Sequence, residues 1–360
     1  MKKPIKMAMV GVGRIGMFHA RHIQELSRET GKCELAAVVD TYRDTAVRVT
    51  EQLQQRQETE IKPFSNIDDL ANAGLVDAAM IATRTKDHER DASTLVKAGC
   101  RVLLEKPLAE SIQTAETFTS WLNADDKRKQ AVMLAFQRRF DDPLIFAKKL
   151  INTGKIGRPF KFVSVLEDPL PPPDGYFSPG LLIDMAVHNI DEILWLSGAQ
   201  PKRAMAFGSN LYNHTISAVK EDFDDAFLQL WFPGNVLGQV QVSRNHVAGY
   251  RNETWIYGDR GLIHVGHFQE NPFSVSVEAY STTGVIEKQI FALKDYGDNV
   301  PVFIKRFGEA YKGELAYFVE QCLNDEPFSV THEDGLLAMK VAVFGQDAIR
   351  TEKEAVEIVY

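Results

Sequence analysis

The stretch IKMAMVGVGRIG, residues 5–16, decides how the rest of the chain is read. Residues 5–10 form a short apolar run of strand length, and residues 17–28 beyond it have helical texture. Between them Gly11, Gly13 and Gly16 form GxGxxG. In such a strand–turn–helix setting the first glycine permits a tight turn, the second lets a pyrophosphate approach the backbone, and the third lets helix and strand pack closely. The phosphates then meet free N–H groups and the positive end of the helix. The competing reading is a tight turn in another α/β fold. Asp40 closes the next strand candidate, 24 residues past Gly16, where an acid receives the adenosine ribose hydroxyls. A carboxylate there repels a 2'-phosphate, so NAD is favoured over NADP, although Arg43 softens the discrimination. The bland alternative for Asp40 is a helix or loop cap.

Working outward, helix-like residues 45–56, an apolar run at 76–83, helix-like 88–98 and a strand at 102–105 continue the alternation. Strands alternating with helices at this spacing imply βαβ units and a parallel sheet covered on both faces. After Met133 the texture changes. Longer strand candidates follow at 160–167, 203–212, 223–232 and 236–244, with shorter ones at 254–257, 263–265, 273–279 and 285–293. Val236, Val240 and Val242 against Gln239, Gln241 and Ser243 give the two-residue alternation of a half-buried sheet, and hairpins best explain the connections. Helices are expected again at 302–322 and 333–353. The expected division is a dinucleotide-binding domain over 1–132 and a substrate-binding and oligomerisation domain over 133–360, whose last helices can pack back on the first. Pro171, Pro172 and Pro173 mark a rigid loop.

At 360 residues two packed domains are the better expectation. Hydrophobic residues at 44% and charged residues at 25% describe an ordinary globular protein. Lys and Arg number 41 against 49 Asp and Glu, a formal charge of -8, which gives no support to nucleic-acid or anionic-membrane binding. Cys33, Cys100 and Cys322 are odd in number and far apart, as in a reducing compartment. No run approaches the roughly 18 apolar residues that span a bilayer, and the basic start leads straight into the glycine loop rather than a cleavage site. The default location is the cytoplasm.

Two segments could carry chemistry. Glu105, Lys106 and Pro107 follow a strand at the carboxyl edge of the inferred sheet, where ligands bind. An isolated Lys is usually a solvated stem. Asp184 and His188 are four apart in GLLIDMAVHNIDEILWL and share a helix face, with Asp191 adding a second acid. An imidazole there can take a hydroxyl proton as hydride leaves carbon. The alternatives are a surface network of helix side chains, or a metal site. The latter lacks a fourth ligand at fixed spacing, and no metal is expected.

Together these segments resemble the inositol and glucose–fructose oxidoreductase (Gfo/Idh/MocA) family over nearly the whole chain: GVGRIG at Gly11, EKP at Glu105, AFQRRFDDP from Ala135, GKIGRP from Gly154 and DxxxHxxD from Asp184. EDPLPPPDGYF, SRNHVAGY and AYKGELAYFVE are similar to segments of inositol 2-dehydrogenases. The resemblance implies an α/β fold class, with an N-terminal Rossmann dinucleotide-binding domain and a C-terminal α+β domain built on a large open, mainly antiparallel sheet. It implies substrate between that sheet and the nicotinamide, and a homodimer or homotetramer formed on the sheet's outer face. It assigns cofactor contacts to Gly11, Gly13, Arg14, Ile15, Gly16, Asp40, Thr83, His88, Glu105 and Lys106. Catalysis falls to Lys106, Asp184 and His188, and substrate contacts to these three with Arg138, Tyr176 and Asn245. The implied substrate is an inositol or related polyol. Alternatives are an aldose, an amino sugar or a sugar acid, or a nonenzymatic NAD-binding regulator. The chain departs from the family pattern at Thr83-Arg84-Thr85-Lys86, at Pro179-Gly180-Leu181, at His188-Asn189, and at Gly249-Tyr250-Arg251-Asn252-Glu253, where a base replaces an acid.

Overall fold

The computed structural model describes residues 2–169, 179–210, 222–246, 248–266, 273–351 and 356–358. The chain divides into two units, Met1–Gln137 with Tyr311–Leu336, and Arg138–Ala310 with Leu337–Tyr360.

Among the described residues of the first unit six strands form one sheet: β1 (Ile5–Val10), β2 (Cys33–Val39), β3 (Lys62–Phe64), β4 (Ala78–Ile81), β5 (Arg101–Glu105) and β6 (Val132–Ala135). Their order is β3-β2-β1-β4-β5-β6 and their pairings are parallel. The connecting helices are α1 (Arg14–Thr30), α2 (Arg43–Gln54), α3 (Ile67–Ala73), α4 (His88–Lys97), α5 (Ile112–Asn123) and α6 (Asp126–Lys129). Met7 to Val10, Ala78 to Ile81 and Val102 to Leu104 are buried without alternation, as strands covered on both faces must be. This is the Rossmann-type α/β domain that the glycine loop implied. The strand order reverses between β1 and β4, so the crevice at their carboxyl ends is the place where ligands bind in such sheets.

Side-chain oxygens of Asn66, Ser111 and Asp125 accept N–H groups at the starts of α3, α5 and α6. Strand β6 straddles the 132/133 boundary read from the sequence, and it completes the parallel sheet. Within this unit Lys312 pairs with Glu29 at 2.6 Å, and the Arg101 guanidinium donates to the Gln321 carbonyl and lies 3.9 Å from the Phe328 ring centroid.

The second unit carries β7 (Pro159–Glu167), β8 (Arg203–Ser209), β9 (Asp225–Trp231), β10 (Leu237–Ser243), β11 (Arg251–Gly258), β12 (Gly261–Val265), β13 (Ser274–Ser281), β14 (Gly284–Ala292) and β15 (Val356–Glu357). They lie in the order β14-β13-β12-β11-β7-β10-β9-β8-β15. The sheet is mixed and mainly antiparallel, with β7 and β10 running parallel at its centre. Helix α7 (Asp142–Asn152) packs against β12 and β13, and α8 (Val187–Ser197) against β7 and β10. Lys148 joins the two helices through the Trp195 and Leu196 carbonyls. Phe162, Leu228, Leu230, Val240, Ile256 and Ile263 fill the face beneath α8. The opposite face is open, with Phe207 paired to Phe227 across β8 and β9 at 58% and 46% exposure. Two long helices, α9 (Val302–Asn324) and α10 (His332–Arg350), follow β14 in the chain.

Candidate active site

The three glycines play three different parts. Gly11 takes φ +82°, and a Cβ on it would meet the Ala82 carbonyl oxygen at 2.7 Å, so a side chain is excluded twice. A Cβ on Gly16 would collide with the Gly11 carbonyl, which fixes how closely α1 approaches the turn. A Cβ on Gly13 would meet nothing within 4 Å. Gly13 is also the residue that opens α1, and it brings no side chain to cap the first N–H groups. An exposed helix start with open space at its lip fits a pyrophosphate. Arg14 is exposed and Ile15 half-buried at this start. Asp40 is half-buried at the end of β2. Its carboxylate accepts from the Val12 N–H at 3.4 Å and from the Tyr42 N–H at 3.0 Å, which ties the glycine turn to the next loop. These residues fit an NAD pyrophosphate and ribose.

Strand β5 ends at Glu105, which is 7% exposed. One carboxylate oxygen lies 2.9 Å from His19 Nε2, and the other accepts the Lys106 backbone N–H at 3.1 Å. Lys106 itself is half-buried. His88, at the first turn of α4, is buried, with Nδ1 2.8 Å from the Pro107 carbonyl and Nε2 3.1 Å from the Thr83 carbonyl. It therefore bridges the loop after β4 and the loop after β5. A neutral imidazole carries one N–H and can donate to only one of these carbonyls at a time. Burial pushes the His88 pKa below its ordinary value, so the ring is neutral near pH 7. The Thr83 hydroxyl donates to Asp91 at 3.0 Å.

In the second unit Asp184 lies on a π-helical turn, Leu182–Ala186, that leads into α8. The sequence reading had a regular α-helix here. Asp184 and His188 are both half-buried, while Val187, Ile190 and Leu194 behind them are buried. Arg244, 2% exposed, approaches Asp184 Oδ2 at 3.6 Å and pairs with Asp222. Asp222 in turn accepts the Leu181 N–H at 2.8 Å, at the mouth of the same turn. Neither Arg244 nor Asp222 was singled out from the sequence. Asn245 follows Arg244, with its backbone N–H on the Ser243 hydroxyl at 3.0 Å.

Asp191 and Arg138 both sit in buried networks. Asp191 is fully buried and takes a two-pronged bond from Arg139 at 2.6 and 3.0 Å, so it does not share the open face of Asp184 and His188. Arg138, expected among the substrate contacts, is 2% exposed. It donates to Glu192 at 2.6 Å and to Asn189 at 3.4 Å. Glu192 also accepts the Ser164 and Thr254 hydroxyls at 2.9 and 2.5 Å, so Arg138 belongs to a buried network joining α8 to the sheet. Tyr176 lies outside the described residues. The replacement at Arg251 is absorbed by Glu253 and Glu167, at 2.7 and 3.3 Å. Arg251 and Glu253 alternate with Thr254, whose hydroxyl meets α8, so they occupy the opposite sheet face. The Tyr250 phenol is pushed well above its usual range by burial.

Residues 5–136 match the model of the oxidoreductase family with an NAD-binding Rossmann fold, and residues 145–264 match the GFO/IDH/MocA C-terminal domain. The chain belongs to the Gfo/Idh/MocA oxidoreductase family. Among its relatives in this family are the myo-inositol 2-dehydrogenase of Thermotoga maritima, 26% identical over 98% of each chain, and the NAD(+)-dependent scyllo-inositol 2-dehydrogenase of Bacillus subtilis, 26% identical over 97% of this chain and 95% of the relative. The scyllo-inositol dehydrogenase of Lactobacillus casei, solved with NAD(H) and scyllo-inositol bound, superimposes with a TM-score of 0.81 at 26% identity, covering 99% of both chains. The chain is thus an NAD-dependent oxidoreductase of the Gfo/Idh/MocA family.

Proposed function

We propose that this chain oxidises a secondary hydroxyl of an inositol or a related cyclic polyol to the ketone, with NAD as acceptor, and catalyses the reverse reduction. The observation that carries the reading is the half-buried Asp184–His188 pair, braced by Arg244, in a chain that also keeps Lys106 at the carboxyl end of β5. The relatives named for myo- and scyllo-inositol support the substrate class.

When bound, NAD supplies the acceptor for the hydride that leaves the carbinol carbon. Lys106 donates a hydrogen bond to the reacting oxygen and stabilises the charge that develops on it. A ring nitrogen of His188 takes the hydroxyl proton, so the C–H electron pair leaves as hydride and the O–H pair becomes the second bond of the C=O. Asp184 orients the imidazole or a neighbouring hydroxyl. Asp40 disfavours a 2'-phosphate and selects NAD. The open sheet face with Phe207 and Phe227 is the surface on which copies of the chain associate into a dimer or tetramer, and Phe227→Glu should lower the mass seen in sedimentation. The cytoplasm suits three free cysteines whose thiols burial pushes up, Cys33 and Cys322 to about 12 and Cys100 to about 11.

The deciding experiment measures reduction of NAD and, separately, NADP by the purified protein at alkaline pH with myo-, scyllo- and chiro-inositols and common aldoses. A strong rate on one inositol with NAD is expected. Rates confined to aldoses, amino sugars or sugar acids would move the substrate to those compounds. Binding of NAD with no turnover on any polyol would favour a nonenzymatic NAD-binding regulator.

A further inference from the structure

We infer that His19 is a positioning residue for Lys106, acting through Glu105 and coupling the helix that starts at the glycine loop to the reactive lysine. The inference rests on the reading of Lys106 given above. Glu105 is a carboxylate at 7% exposure, and a carboxylate removed from water is costly unless donors meet it. Each of its two oxygens has one: His19 Nε2 at 2.9 Å and the Lys106 backbone N–H at 3.1 Å. A carboxylate held at both oxygens cannot rotate, so the N–H of Lys106 and the imidazole of His19 are fixed with respect to each other.

The imidazole is itself immobile. His19 is fully buried, and the edge of its ring meets Tyr311, with centroids 5.6 Å apart at 83°. Among the described residues its Nδ1 has no hydrogen-bond partner, so a proton on Nδ1 would be stranded in the interior. The tautomer with its N–H on Nε2, facing Glu105, is the one that leaves no donor stranded. His19 is three residues past Gly16, one turn along α1 from the helix start that fits the pyrophosphate. Helix α1, His19, Glu105 and Lys106 thus form one continuous rigid path. A buried polar pair that served stability alone would need no member joined to the backbone of Lys106.

The test compares His19→Ala, His19→Gln, Glu105→Gln, Lys106→Ala and the His19→Ala/Glu105→Gln double variant. It reads kcat and KM for the preferred polyol, the NAD dissociation constant by fluorescence, and the melting temperature. His19→Ala should lower kcat between about ten- and a hundredfold, the scale of a small misplacement of a catalytic group. KM and NAD affinity should stay within about threefold, as for an interaction felt in the transition state. His19→Gln retains a donor near the Nε2 position and should recover most of the loss. The double variant should be no slower than the slower single variant, because both act through one bond. A lowered melting temperature with unchanged kcat in His19→Ala would overturn the inference. So would failure of His19→Gln to rescue. If His19→Ala does not fold, Glu105→Gln and His19→Gln carry the same comparison. Retained turnover in Lys106→Ala would overturn the reading of Lys106 together with this inference, whereas loss in Lys106→Ala beside full kcat in His19→Ala would overturn the coupling alone.

Discussion

Around Lys106 a single buried carboxylate, Glu105, is met by an imidazole and a backbone N–H, His19 and Lys106, while His88 lies between the Thr83 and Pro107 carbonyls. Around Asp184 and His188 they are full charges: Arg244 with Asp222 and Asp184 on one side, and Arg138 with Glu192 one helical turn behind. The first arrangement holds one backbone position in the first unit. The second locks the packing of a helix on a sheet in the other. Removing His19 leaves the Glu105 carboxylate one donor, the adjacent Lys106 N–H, while removing one member of the Arg138–Glu192 pair strands a full charge in the interior. The two regions should therefore fail in different ways when cut.

The largest effects are expected at Lys106 and His188, the groups proposed to hold and deprotonate the reacting hydroxyl. Lys106→Ala and His188→Ala should each lower kcat by roughly 10²–10⁴-fold, the usual worth of a positioned acid–base group, with NAD affinity nearly unchanged. Parallel loss of cofactor binding in both variants would erase the distinction between the two clusters. Next comes Glu192→Ala, which strands Arg138 in the interior and should cost about 3–5 kcal/mol in urea unfolding. A cost below about 1 kcal/mol would make the Arg138–Glu192 pair no more demanding than a surface ion pair.

Smaller effects sharpen the picture of the first unit. Gly13→Ala places a methyl in the open lip of α1 and should weaken NAD binding by on the order of tenfold at unchanged melting temperature, because the second glycine of the motif gives the pyrophosphate its room. Gly16→Ala should instead lower the melting temperature, since its methyl meets the Gly11 carbonyl. The smallest effect concerns pH. Burial lowers the pKa of His88 and His332 below the ordinary 6.5, so both rings stay neutral in the folded chain while the unfolded chain takes up protons as pH falls. The stability this gives is fully present above about 6.5 and is lost as pH drops. Between about pH 6.5 and 5.5 each ring should account for up to about 1 kcal/mol, read from urea midpoints. His88→Gln should flatten that slope.

The sequence carried the first unit further than the second for a physical reason. Gly11, Gly13 and Gly16 do their work within one local turn, and the buried strands advertise themselves as unbroken apolar runs. The three-residue β3 is too short to leave a pattern, and α3 and α5 are short amphipathic pieces whose caps, Asn66 and Ser111, are the clearest sign of them. In the second unit the parallel pairing of β7 with β10 is set by tertiary contact, and no local signal encodes it. Arg138 and Glu192 are 54 residues apart, and neither names the other. One clue was available: Asp191 and Glu192 interrupt the apolar run NIDEILWL at positions facing the core, and buried carboxylates require cationic or hydroxyl partners. His19 left a similar clue, an imidazole on the buried face of α1 beside Ala20 and Ile23.

The π-helical turn at Leu182–Ala186 has a consequence for how this site can change over generations. A π turn amounts to one extra residue lodged in an otherwise regular α-helix, and such turns gather at functional sites. Loss of a single codon in this segment, at Met185 for example, could be taken up by the backbone as a return to the ordinary helical ladder, with β7, β10 and α8 left intact. The same event would rotate Asp184 away from Arg244 and shorten its spacing to His188. A chain of this fold can therefore re-aim the side chains of this turn by a length change of one residue, with no substitution at Asp184 or His188.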